Sequence, residues 1–228
     1  MAVVAVWWAR AQDVGNPAAE LLRGAVAARA GCASREVAIG RLCPACGSAE
    51  HGRPVVLLPA ADRWRVSLSR APGIVAVAVA ESGEVGDLGI DVEEVARTAF
   101  AGFRVVALGP LEADGSPAER GLIWTRKESV LKATGLGLRT DPRGIRVSHP
   151  SDPPRMLEGP ELAAGQRIWL TDVAVPGAYA ATVAVLLAGG AGDPEVTVSE
   201  AATGASAGAA IDGRGRRDPG RSEPPRRR

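Results

Sequence analysis

Aromatic residues are scarce in this chain. They make up 4% of its 228 residues, against 46% apolar residues in all. Ala, Val and Leu carry most of that apolar share, so thin packing is expected. Cysteine is nearly absent too. Cys32, Cys43 and Cys46 cannot all pair with one another, and Cys43 and Cys46 stand too close for an ordinary structural staple. That argues against a disulfide scaffold and makes a reducing cytoplasm the expected compartment. No apolar run is long enough to span a bilayer. Met1–Trp8 is apolar but lacks the basic start and cleavage pattern of a signal peptide.

Net charge is almost absent, at +1. Residues 211–228 hold seven arginines against three acids, which leaves the rest of the chain slightly acidic. A basic nucleic-acid-binding fold is therefore excluded, and any anion site must be local. From residue 189 onward the chain is Gly, Ala, Ser, Pro and Arg, a composition that cannot offset its ordering entropy, and a disordered tail is expected over 189–228.

The remaining length suits one large domain or two small ones. Val3–Trp8 reads as a strand, and Pro17–Arg29 as a helix with Asn16 as N-cap. Glu36–Leu42 alternates weakly, and Cys43–Pro54 is a Gly/Pro-punctuated loop. Arg63–Ser69 and Ile74–Ala80 read as a tightly joined strand pair. A similar plan follows. Leu88–Glu93 is a strand, Pro117–Thr134 a long helix closed by Gly135, and Ile145–Ser148, Arg167–Val173 and Tyr179–Leu187 are strands. The expected fold class is α+β, with two similar α+β subdomains over 1–85 and 86–188 and a cleft between them.

Two segments carry chemistry. In Gly89-Ile90-Asp91-Val92-Glu93, strand periodicity puts Asp91 and Glu93 on one face and Ile90 and Val92 in the core. Two such carboxylates repel each other and lose solvation, and a divalent cation removes both costs. Solvated acids at a strand end would look the same in isolation. In Trp124-Thr125-Arg126-Lys127-Glu128-Ser129-Val130-Leu131-Lys132, Glu128 and Lys132 share a helix face, and the bland counterpart is a surface ion pair.

Gly-Ile-Asp-x-Glu followed by Trp-x-x-Lys-Glu-Ser-x-x-Lys, and then by Gly135-Leu136-Gly137-Leu138, resembles the 4′-phosphopantetheinyl transferase superfamily. The resemblance extends to His51-Gly52-Arg53-Pro54, which looks like a turn lying against the coenzyme A nucleotide, and to Ser69-Arg70, which stands where the family commonly has Ser-His. It implies Mg²⁺ on Asp91, Glu93 and Glu128. It implies catalytic roles for Glu128, as general base, and for Lys132. It implies coenzyme A contacts from Arg53, Ser69, Arg70, Lys127 and Lys132. An arginine at position 70 forks its donors to phosphate but cannot transfer a proton.

The expected function is transfer of 4′-phosphopantetheine from coenzyme A to a serine of an acyl, peptidyl or aryl carrier protein. The expected setting is a cytoplasmic monomer of the secondary-metabolism branch, without membrane or specific nucleic-acid partners. Arg139, Arg143 and Arg146 are candidate carrier contacts. The alternative is an impaired homologue that binds coenzyme A or carrier without transfer. Cys43, Cys46 and His51 have half the pattern of a zinc knuckle; free thiols in a nucleotide-site loop are the favoured reading and zinc the minority one.

Overall fold

The computed structural model describes residues 1–11, 17–137 and 140–201. Asn16, Leu138, Arg139 and the chain beyond Ala201 lie outside the described residues, and so do the expectations placed on them. The fold is α+β. In chain order the elements are β1 (Val3–Arg10), α1 (Pro17–Ala30), β2 (Ala38–Leu42), β3 (Arg53–Leu58), β4 (Trp64–Ala71), β5 (Ile74–Glu81) and β6 (Asp87–Glu94). There follow α2 (Phe103–Ala107), α3 (Pro117–Ala133), β7 (Arg146–Val147), β8 (Met156–Glu158), β9 (Arg167–Asp172), β10 (Tyr179–Leu187) and β11 (Glu195–Glu200).

A four-stranded sheet has the order β11-β1-β5-β4, and a three-stranded sheet the order β6-β10-β9. Their facing sides share one core. Val4, Val6 and Trp8 of β1 and Ile74, Ala76, Ala78 and Ala80 of β5 meet Leu88, Ile90 and Val92 of β6 and Val183, Val185 and Leu187 of β10. The alternation of β5 explains the layering. Its small Ala side chains face the second sheet and admit it closely, while Val75, Val77 and Val79 face α1. On the outer side of the second sheet, Ile123, Val130 and Leu131 of α3 pack near Ala184 of β10.

The helix α3 is locally specified at both ends. Ser116 and Glu119 form a reciprocal capping box, Pro117 opens the first turn, and Gly135 takes a φ of 70° just past the end. Its close seat on β6 depends on Gly89. A Cβ there would stand 2.1 Å from the Ser129 carbonyl oxygen and 2.7 Å from the Ala133 nitrogen. Gly89→Ala must therefore push helix and strand apart. A loss of about 1–3 kcal/mol is expected in urea unfolding, the range for overpacking a tight contact; unchanged stability would mean that the two backbones are not held this close.

The expectation of a disordered tail from residue 189 fails over residues 195–200. Glu195–Glu200 pairs in parallel with β1, from Val3 opposite Glu195 to Trp8 opposite Glu200. Otherwise β1 would present an open edge, and the short Val196-Thr197-Val198 run suits an added strand. Averaging over the long polar tail hides that run. The short β3, β8 and α2 were likewise not anticipated; β3 takes Arg53 and Pro54 out of the expected loop and pairs them with β2.

Candidate active site

The two sheets meet at β4 and β6, where side chains form the links. Ser67 Oγ accepts from the Ile90 N–H at 3.0 Å, and Ser69 Oγ donates to Asp91 Oδ1 at 2.7 Å. Arg65 Nε donates to the Gly86 carbonyl at 2.9 Å, and Arg53 pairs with Asp87. This seam sets the first half of the chain against the strand that carries Asp91.

Because Ile90 and Val92 are committed to the core between the sheets, Gly89, Asp91 and Glu93 face α3. Asp91 is buried, and its Oδ1 accepts from Lys132 Nζ at 2.7 Å as well as from Ser69. Lys132 Nζ also donates to the Ile90 carbonyl at 2.8 Å. Glu93 accepts from the Glu94 N–H at 3.0 Å and lies 3.4 Å from Arg97 Nε, a more exposed group. Glu128 enters from α3, one turn before Lys132. It is only 9% exposed, and its Oε1 is buried with no hydrogen-bond partner among the described residues.

The charges interact. Burial pushes the Glu128 carboxyl up to about 7; Asp91 and Glu93 push in the same direction, while Lys132 opposes them. Burial also raises Glu93, with Asp91 adding to the effect and the Glu94 N–H and Arg97 opposing it. Asp91 thus pairs with Lys132, Glu128 feels both of them together with Glu93, and one Glu128 oxygen lacks a donor among the described residues. Carboxylate oxygens are the donors that a hard divalent cation takes, but the oxygens of Asp91, Glu93 and Glu128 do not all lie within 4.8 Å of one another, so one ion would have to draw them together.

Beside this cluster lies a cleft of ≈ 370 Å³. Among its walls are Arg41, Cys43, Arg53, Leu68, Lys132 and Gly137. Strand alternation separates Ser69 from Arg70: Ser69 faces Asp91, whereas Leu68 lies on the α1 side of the sheet and the exposed Arg70 follows that side.

Lys127 requires a correction. The sequence suggests a coenzyme A contact, but its side chain is fully buried. It pairs with Glu112 and donates to the Ala107 carbonyl at 2.6 Å. One step of about 100° along the helix carries it off the Glu128 face. Glu112 also accepts from the Gly109 N–H at 2.8 Å and the Val147 N–H at 3.3 Å, tying α3 to the loop after α2 and to β7.

Sequence reasoning missed Glu112, and it missed Arg126. Arg126 is 1% exposed, pairs with Asp172 at 2.6 Å and donates to the Ser148 carbonyl at 2.8 Å. Glu112 reads as one more acid in a loop; only its distant partner Lys127 marks it. Thr182, opposite Asp91 on β10, bonds both Thr125 and Asp172 at 2.9 Å. Of the candidate carrier contacts, Arg143 pairs with Asp141 and Arg146 with Glu158.

No curated protein matches the chain. Residues 87–184 match a family model, described as the 4′-phosphopantetheinyl transferase superfamily. The matched stretch runs from the first residue of β6 into β10 and contains Asp91, Glu93, Glu128 and Lys132. By this match, the segment that carries Asp91, Glu93, Glu128 and Lys132 is similar to the 4′-phosphopantetheinyl transferase superfamily.

Proposed function

We propose that the protein transfers 4′-phosphopantetheine from coenzyme A to a serine hydroxyl of a carrier protein, using the carboxylate–lysine cluster between β6 and α3. The observation that carries this reading is the grouping of Asp91 and Glu128 with Lys132, and of Glu93 close enough to act on Glu128, within the matched segment. Mg²⁺ held by Asp91, Glu93 and Glu128 would supply charge neutralisation at the pyrophosphate.

The chain's own residues do the rest. Ser69 and Lys132 hold Asp91 in place through two 2.7 Å bonds. Glu128, one helical turn from Lys132, takes the proton from the serine hydroxyl. The serine oxygen forms a bond to the phosphorus that carries pantetheine. The bond from that phosphorus to the bridging oxygen breaks, and 3′,5′-adenosine bisphosphate departs with the electron pair. Lys132 stabilises that developing negative charge. Arg53, on the cleft wall, is a proposed phosphate contact; Arg70, on the other face of β4 from Ser69, is proposed for a part of coenzyme A that reaches beyond the cleft. Cytoplasmic location, monomeric state and service to secondary metabolism are parts of the same reading. Among the described residues, no helix is long and apolar enough to cross a membrane.

The test is intact-mass analysis of apo carrier proteins incubated with the protein, coenzyme A and Mg²⁺. A gain of one phosphopantetheine is expected, with a ~10²–10³-fold slower gain for Asp91→Ala, the scale for removing preorganised charge stabilisation. Coenzyme A binding without any gain, across acyl, peptidyl and aryl carriers, would overturn transfer and leave a binding protein.

A further inference from the structure

The loop between β2 and β3 holds a second cluster of quite different chemistry. One ligand atom from each of Cys43, Cys46 and His51 lies within 4.8 Å of the others. Cys46 Sγ and His51 Nε2 are 3.4 Å apart. A thiolate and an imidazole on one tetrahedral zinc, with bonds of about 2.3 and 2.0 Å, stand roughly 3.5 Å apart. Cys46 and His51 therefore stand at nearly the spacing that a single ion imposes, and Cys43 lies within 4.8 Å of both.

The backbone holds this arrangement independently. The Gly47 N–H donates to the Cys43 carbonyl at 2.9 Å, and the Cys43 N–H to the Ser48 carbonyl at 2.9 Å. Gly47 takes a φ of 73° in this turn. Gly52 takes a φ of 104°, and a Cβ there would lie 2.4 Å from the Leu42 carbonyl oxygen. Pairing of Leu42 with Arg53 closes the loop at its base. Cys46 and His51 are exposed, so an ion can reach them.

We propose that Cys43, Cys46 and His51 bind one zinc-class transition-metal ion, with water at the fourth position. The donor set selects the ion: two sulfurs and an imidazole suit zinc and leave Mg²⁺ to the carboxylate cluster. Among the described residues, no further Cys, His, Asp or Glu joins the group. The ion braces one wall of the cleft, because Cys43 and Pro44 line it together with Arg53 and Lys132. The proposal stands independently of the transfer reading.

The test uses the full chain, stripped with a chelator, re-equilibrated with zinc and desalted. One zinc per chain is expected by elemental analysis, and cobalt in its place should show thiolate-to-metal charge-transfer absorption. Cys46→Ser and His51→Asn alter exposed side chains, and circular dichroism checks their fold. Each should weaken retention against a competing chelator by at least ~10-fold, since loss of even an outer-shell partner costs that much. Asp91→Ala should retain the ion. No retained zinc, two freely reactive thiols at positions 43 and 46 in the zinc-equilibrated protein, or zinc lost with Asp91→Ala instead would each overturn the proposal.

Discussion

Glu128→Gln is expected to have opposite effects on activity and on stability. Transfer falls by about 10²–10⁴-fold, the range for loss of a positioned general base. Stability of the metal-free protein rises. The Glu128 carboxyl titrates at about 7 in the fold, above the ordinary 4.5. Between those values the folded state binds more protons than the unfolded state, so stability falls as pH rises. The favourable contribution is fully present below about 4.5 and is lost as pH rises through about 7. Above that, the ionised group costs on the order of 3 kcal/mol by the size of the shift.

Glutamine cannot ionise and escapes this cost. Urea unfolding without metal should show the variant more stable than the parent by roughly 1–3 kcal/mol at pH 8, with the gap closing toward pH 4. Glu93 is raised by burial as well, so the parent keeps some of its pH slope after the change. Near-normal turnover would remove Glu128 as the base. An unchanged pH dependence of stability would mean that its carboxyl is not desolvated.

Lys127→Met is expected to destabilise the protein by about 3–5 kcal/mol, because it leaves Glu112 buried without its cation. Glu112 keeps its bonds from the Gly109 and Val147 N–H groups, but these do not cancel a full charge. Burial lowers the Lys127 pKa while Glu112 opposes that shift, so the ion pair and the desolvation act against each other. Replacing both partners, Lys127→Met with Glu112→Leu, should recover much of the loss, since an apolar pair carries no desolvation cost. The measurement is the urea midpoint of the two single variants and the double variant. Coenzyme A affinity, measured where Lys127→Met is still folded, should match the parent. Full stability with weakened coenzyme A binding would return Lys127 to the ligand side and sink the structural assignment.

These outcomes separate what the motif looks like from what each of its residues does. Lys127 and Glu128 are adjacent in sequence, so the motif treats them as one unit. Helix geometry divides them. Glu128 joins Asp91 and Lys132 beneath β6, and Lys127 points into a pocket built by the loop after α2. Ser69 and Arg70 are divided in the same way by strand alternation. Asp91 and Glu93 were legible from spacing alone, because a period of two on a strand with a buried Ile90 and Val92 leaves little choice of face. The β11 strand was not legible, since its pairing is set by the open edge of β1 across nearly the whole chain length.

By itself the sequence determined the α+β class, the long capped helix Pro117–Ala133, the strand carrying Asp91 and Glu93, and the resemblance that the match over residues 87–184 bears out. Those features rest on local rules: side-chain periodicity, capping, and the spacing of residues within one element. Only the tertiary structure decided that Gly89 lets helix and strand backbones touch, that Glu112 neutralises Lys127, that Arg126 is buried against Asp172, and that Cys43, Cys46 and His51 converge. Most of these depend on which distant groups meet and how much water is excluded when they do. Burial converts a neutral-looking run of charged residues into one buried ion pair, one strained carboxylate and one cationic partner, and no single stretch of chain contains that information.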